Sequence, residues 1–227
     1  GGPGLADELR RAGAEIKASA EQELAEFYPD DKDGGKPIAY IWARTVRCEA
    51  VGCGAEIPLV RSFWLSKKAH RRRALRHKVV RRRGEAPTVE FEVFTPRHER
   101  DVPAGTVSRA KATCVACGQV LAPERVRAQL AAQRGGADVI FDRAGHRKGG
   151  ARLLAVVMLH EDKDGRQYRV ATDNDYAVVR RAQQRLAKIA AGTLANGLSV
   201  IPDEPLPPIG TLGFRVQRYG MLQWGDL

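Results

Sequence analysis

The chain has 227 residues, 43% of them apolar and 6% aromatic, enough to enclose a core in one large or two small domains. Its 38 Lys and Arg exceed its 27 Asp and Glu and leave a formal net charge of +11, which points to an anionic partner. No apolar run is long enough to span a bilayer and no basic-plus-apolar leader opens the chain, so no membrane partner is expected and the cytoplasm is the expected compartment.

After Gly1 to Gly4, residues 5–27 carry Leu5, Leu9, Ile16, Ala20, Leu24 and Phe27 on one face of an amphipathic helix. That face needs a partner. The expectation is its own domain; the alternative is a surface absent from this chain. A start almost directly on a helix, with no initiator methionine, fits an internal piece of a longer protein. Residues 29–37, rich in Pro, Gly and Asp, end the helix.

Residues 38–47 read as a strand with Ile38, Tyr40, Trp42 and Arg44 on one face and Ala39, Ile41 and Ala43 on the other. Apolar residues on both faces predict burial on both. Tyr40 and Trp42 are expected in a core beside the cysteines, ahead of a role as base-stacking platforms.

The strand runs into Cys48-Glu-Ala-Val-Gly-Cys53-Gly54, and a second knuckle, Cys114-Val-Ala-Cys117-Gly118, lies further on; together they use every cysteine in the chain. Four soft thiolates from two short loops are what a tetrahedral zinc ion takes, so Cys48, Cys53, Cys114 and Cys117 are the expected metal ligands. A glycine after each second cysteine allows the positive φ with which a knuckle turns its amides toward the sulfurs. The rival readings are two disulfides or four unrelated buried thiols. Disulfides belong to oxidising compartments, for which no leader is seen. A compact ribbon separates its cysteine pairs by about 15–20 residues. Here 60 residues intervene, so the ribbon carries an insertion.

Within that insertion, 55–65 continue in extended form, with Pro58 confining them to an edge or bulged strand. Segment 61–83 then holds eleven Lys and Arg, two His and no acid, and removing it leaves the rest of the chain at 27 cations against 27 acids. A single-sign block repels itself unless counter-charges neutralise it. Lys67, Lys68, Arg71, Arg72, Arg73, Arg76, Arg81, Arg82 and Arg83 are therefore the candidate nucleic-acid contacts. Residues 67–83 can be read as a helix or a hairpin arm, and two extended pieces crossing 84–87, with Val79-Val80 before and Val89, Phe91, Val93 and Phe94 after, are the expected form. Residues 106–113 would be the last strand before the second knuckle.

Pro123 starts a helix to about 133, closed by Gly135-Gly136. Residues 138–150 read as loop, 152–160 as a buried strand, and Asp164-Gly165 as the turn into a strand over 167–171. Thr172 and Asp175 form a capping-box start to a helix whose buried face is Tyr176, Val179, Leu186 and Ile189, ended by Asn196-Gly197. From Ile201 the run Pro-Asp-Glu-Pro-Leu-Pro-Pro reads as an extended linker.

The sequence contains no Gly-rich phosphate loop, no G-x-S-x-G and no H-E-x-x-H. His70, His77, His98, His146 and His160 lie in basic or polar context or at a strand end and are expected to be solvated. No catalytic residue is assigned.

Four blocks, 37–48, 53–68, 201–208 and 210–226, beginning Pro37-Ile-Ala-Tyr-Ile-Trp42, Cys53-Gly-Ala-Glu-Ile-Pro58, Ile201-Pro-Asp-Glu-Pro205 and Gly210-Thr-Leu-Gly-Phe214, resemble the middle of large bacterial and archaeal adenine-specific DNA methylases. The resemblance implies a zinc-ribbon insertion within an S-adenosylmethionine-dependent methyltransferase. Such enzymes need a donor-binding loop and an Asn or Asp-Pro-Pro-Tyr or Phe motif that grips the flipped adenine. Neither occurs here, and Asp203-Glu-Pro205 and Pro207-Pro208 lack the aromatic and the order.

The expected architecture is α+β. An N-terminal helix and loop (1–36) precede a zinc ribbon (37–121) with a basic β insertion (61–113), a small α/β unit (122–200) and an extended C-terminal linker (201–227) into the remaining methyltransferase domain. The expected function is DNA engagement for a methylase whose catalytic residues and S-adenosylmethionine site lie elsewhere. A stand-alone zinc-ribbon nucleic-acid module and a purely structural insertion are the alternatives.

Overall fold

The computed structural model describes residues 3–133, 141, 142, 144, 145, 147 and 149–201, and within them the chain is a mixed α+β structure with antiparallel sheets. The expected linker over 202–227 and the glycine stop at 135–136 lie outside the described residues.

Helix α1 (Pro3–Leu24) runs into a 3-10 turn (Ala25–Phe27). Its extent matches the apolar spacing, but its packing does not: the helix is exposed along its length, Leu9 at 65% and Ile16 at 70%. The expected seat on its own domain is absent among the described residues.

A four-stranded sheet has the order β10-β9-β1-β2. Strand β1 (Lys36–Arg47) pairs along β9 (Ala151–His160), whose run from Leu153 to Met158 is buried, so the 37–121 and 122–200 stretches share one sheet. Strand β2 (Glu56–Pro58) lies on the edge, where Pro58 can be tolerated because no further ladder bond is asked of it. Burial on both faces of β1 does not hold throughout: Ile38 is 45% and Trp42 36% exposed.

Residues 55–65 do not form one strand. They divide between β2 and β3 (Trp64–Ser66), which belongs to a second sheet, β3-β4-β5, with β4 (Arg73–Val80) and β5 (Thr88–Phe94). Strands β4 and β5 flank 84–87 as the two extended pieces their valines imply, while Ala69–Arg71 of the basic block form a 3-10 turn. One face of this sheet, with Phe63, Leu75, Phe91 and Val93, packs on Ala43 and Leu154 of the first.

Where a single strand is expected over 106–113, there are two, β6 (Val107–Ser108) and β7 (Lys111–Thr113), joined at Arg109 and Ala110 with φ of 47° and 63°. Positive φ at two non-glycine residues gives the sequence no turn signal. Strand β8 (Val120–Leu121) completes this third sheet.

Helix α2 (Pro123–Ala132) begins on proline as expected. Strand β10 (Lys163–Arg169) starts before Asp164-Gly165, which sits within it at a register shift between Lys163 and Gln167 instead of forming the turn. Helix α3 (Asp173–Ala190) carries the expected capping box: the Thr172 amide and hydroxyl both donate to Asp175, at 2.7 and 2.8 Å. It stops before Asn196-Gly197, which instead close a turn from Leu194 to Leu198.

Candidate metal centre and its basic neighbours

Strand β1 delivers Cys48 and β7 delivers Cys114, so two sheets converge on one point. The first knuckle closes through Cys48 N–H to the Ala55 carbonyl and Cys53 N–H to the Ala50 carbonyl, at 2.9 and 3.0 Å. The second closes through Cys114 N–H to Gln119 and Gly118 N–H to the Cys114 carbonyl, at 2.8 and 2.9 Å. Gly54 and Gly118 take φ of 64° and 78°, the left-handed region that favours glycine.

The four sulfurs lie within 4.8 Å of one another, with Cys48 to Cys117 at 3.6 Å and Cys53 to Cys114 at 3.8 Å. Sulfurs about 2.3 Å from a tetrahedral zinc are about 3.8 Å apart. The cluster can therefore hold a metal ion, and its size and soft ligands suit zinc. Burial pushes the Cys48 thiol up to about 12 and also raises Cys114, whereas the Gln119 amide lowers the exposed Cys117. A bound cation supplies the counter-charge that clustered thiolates lack. The Ala116 amide already points at the Cys114 sulfur, 3.4 Å away.

Around the thiols, Val46, Ala55, Ile57, Ala112, Leu121, Val126 and Leu130 form one buried cluster. Helix α2 closes it. The Gln129 side chain accepts from Arg47 N–H at 2.7 Å and donates to Arg47 C=O at 3.0 Å, standing in for a neighbouring strand, and Arg125 grips Glu49 of the first knuckle at 2.9 and 2.8 Å. These partners were not foreseen, because pairs such as Glu49 and Arg125, 76 positions apart, leave no local signal.

The basic block is not one uniform solvent-facing patch. Strand β4, eight residues with a rise of about 3.4 Å per step, puts roughly 24 Å between its ends. At the first end, Arg71 pairs with Asp164 of β10, while the half-buried Arg72 and Arg73 donate to the carbonyls of Arg97 and Arg72 at 3.1 and 2.8 Å. Arg76 is held by both oxygens of Glu92 across the β4–β5 ladder, at 2.9 and 2.8 Å. Lys67 lies over the Trp64 ring at 5.5 Å, and Lys68 has no ion pair among the described residues. At the far end Arg81, Arg82 and Arg83 are exposed, Arg81 donating to the Ala116 carbonyl at 2.6 Å.

Nor are all the histidines solvated. His77 packs against Phe63, its ring centroid 5.8 Å away, and burial lowers its pKa; the His160 side chain is only 5% exposed. Among the described residues no histidine joins the thiol cluster.

No known protein family, curated protein or solved structure matches this chain. The site is therefore read from its own geometry.

Of Tyr40 and Trp42, both expected in a core beside the cysteines, Tyr40 packs against the buried Leu153, Val156 and Met158 away from the thiols, and with the more exposed Trp42 it lines an apolar groove of about 660 Å³ together with Leu24, Phe27, Leu186 and Ile189. Leu186 and Ile189, expected on the buried face of α3, are 52% and 41% exposed there. Val178 and Asp175 are that helix's buried residues. No helix among the described residues is long and apolar enough to cross a membrane.

Proposed function

We propose that the four thiols bind one zinc ion as a structural zinc ribbon, and that the chain engages DNA on behalf of an adenine-specific DNA methyltransferase. The methyl donor, S-adenosylmethionine, and the catalytic motifs are assigned to parts of that enzyme outside this sequence. The observation that carries the reading is a placement: the segment whose cations account for the net charge of the chain reaches the four-thiol cluster at one end, Arg81 donating to the loop between Cys114 and Cys117.

A closed set of four cysteines leaves zinc no open position for a substrate, so its contribution is folding free energy and rigidity. Lys and Arg beside it displace condensed counterions from phosphates, which positions a protein on nucleic acid without choosing the sequence. The methylase assignment rests on the resemblance in the four sequence blocks, and the chemistry is assigned elsewhere because this sequence has neither a donor loop nor an adenine-gripping motif.

A structural insertion without DNA contact is the second reading. It is favoured by Arg71 on Asp164 and Arg76 on Glu92, where part of the basic block meets acids of its own chain. The test is binding of the whole chain to a labelled duplex at low salt, with methyl transfer from labelled S-adenosylmethionine followed in parallel. DNA binding without transfer is expected. Absence of binding hands the chain to the structural reading, and transfer above background overturns the placement of the chemistry.

A further inference from the structure

We infer that phosphate contact is made by the turn between β4 and β5, residues 81–87, seated on the two cysteine knuckles, and that the guanidiniums of the Arg71–Arg76 end are taken up by partners within this chain instead. This rests on the DNA-engaging reading and says which surface serves it.

The seating comes first. Arg81 donates to the Ala116 carbonyl of the second knuckle at 2.6 Å. A Cβ built on Gly54, which follows Cys53, would lie 3.5 Å from the Cβ of Ala86, so the turn also reaches the first knuckle. Pro87 is buried beneath it. A turn fixed at both sides loses little freedom on binding, and guanidiniums mounted on it are presented at low entropic cost.

The free charge comes second. Arg81, Arg82 and Arg83 are all exposed; among the described residues Arg82 has only Glu85 at 3.9 Å, and Arg83 has no ion pair. Arg71 and Arg76 are committed to Asp164 and Glu92, and Arg72 and Arg73 to carbonyls. A guanidinium in a bidentate pair must give that pair up to reach a phosphate. An unpaired one loses nothing but water, and its planar fork matches phosphate oxygens.

The seating also couples the turn to the thiols. Metal loss releases the Ala116 loop, which releases Arg81. Chelation and substitution of the turn should then weaken DNA binding by the same route, so that their effects do not add.

The test uses the whole metal-loaded chain and fluorescence anisotropy across a salt series, on a duplex and on the matching single strand. Arg81→Ala/Arg82→Ala/Arg83→Ala removes the seat at Ala116 together with the two guanidiniums that have no carbonyl partner, and should reduce the log–log salt slope by about 1.8, two contacts at about 0.9 each, which shrinks the affinity ratio between 50 and 200 mM salt about 12-fold. Arg82→Ala/Arg83→Ala spares the Ala116 bond and should reduce the slope by about 1.8 with metal content unchanged. Lys67→Ala/Lys68→Ala, at the opposite end of β4, should keep the parent slope. Chelator should weaken the parent but add little to the triple variant. A loss on the duplex assigns the turn to double-stranded backbone, and a loss confined to the single strand assigns it to an extruded strand; both support the inference. A double variant with the parent slope, or a loss that follows Lys67 and Lys68, overturns it while the DNA-engaging reading stands. A parent chain that binds neither probe at low salt removes both.

Discussion

Arg147 sets its guanidinium against both carboxylate oxygens of Glu56, one at 2.8 Å, while Arg152 stands 3.7 Å from the same carboxylate. The cluster is largely but not fully buried, Arg147 keeping 26% of its side chain exposed, and each arginine also faces an aromatic ring, Arg147 over Tyr176 at 5.8 Å and Arg152 over Phe91 at 4.7 Å. One carboxylate from the edge strand therefore holds two guanidiniums that would otherwise repel. Glu56→Ala leaves both uncompensated, and the expected loss is about 3 kcal/mol in urea unfolding. A loss under about 1 kcal/mol would show that water replaces the carboxylate.

The same carboxylate makes stability depend on pH. Burial works against its charge, but the Arg147 hydrogen bonds and charge outweigh burial and hold Glu56 below the ordinary glutamate value. Asp175 behaves alike, burial opposed and outweighed by Arg169 and the Thr172 cap. A depressed carboxylate contributes stability that is fully present above its unfolded pKa and is lost as pH falls through the folded one. Melting temperature should therefore drop as pH falls below about 4, near the unperturbed carboxylate range. For Glu56→Gln the gap to the parent should narrow over that window; a constant gap would assign the acid sensitivity to other groups.

Thr106 is 2% exposed and joins the β2–β3 connection to β6, its hydroxyl donating to the Pro58 carbonyl and accepting from Val60 N–H at 3.0 Å. Thr106→Val keeps the shape and removes both bonds. A loss of about 1–3 kcal/mol is expected. Hydrogen exchange at Val60 N–H, accelerated in the variant, separates this cause from a packing defect.

The thiol cluster predicts one metal ion per chain. Replacement of Cys48 or Cys114 by Ser should abolish stoichiometric binding and loosen the cluster around Val46, Ile57 and Leu121, because metal binding free energy here is folding free energy. Elemental analysis with near-ultraviolet circular dichroism reads both effects. Full metal content in the Cys48→Ser chain would mean that three thiols suffice.

Where residues act on near neighbours, their spacing foretold the structure. The apolar run Leu153–Met158 has the length that favours a buried strand over a helix, Thr172 and Asp175 sit three apart as a cap requires, and the short loops Cys48–Cys53 and Cys114–Cys117 each turn two sulfurs toward one point. Arg109 and Ala110 illustrate the opposite case: a reversal made with positive φ at residues that rarely take it cannot be read from their identity.

The sequence by itself determined the four ligand candidates, the strand tendency on either side of 84–87 and the single-sign charge block over 61–83, because each depends on residue type and short spacing. The tertiary structure alone decided that β1 pairs with β9, that the two cysteine pairs meet, and that, among the described residues, Arg71 and Arg76 meet acids while Arg83 does not. It also left the apolar stripe of α1 in solvent and drew Tyr40 and Trp42 into a groove away from the thiols. The physical reason is that charge neutralisation and burial depend on which distant segments the sheets bring together, and a hydrophobic stripe announces its need for a partner without saying where that partner lies.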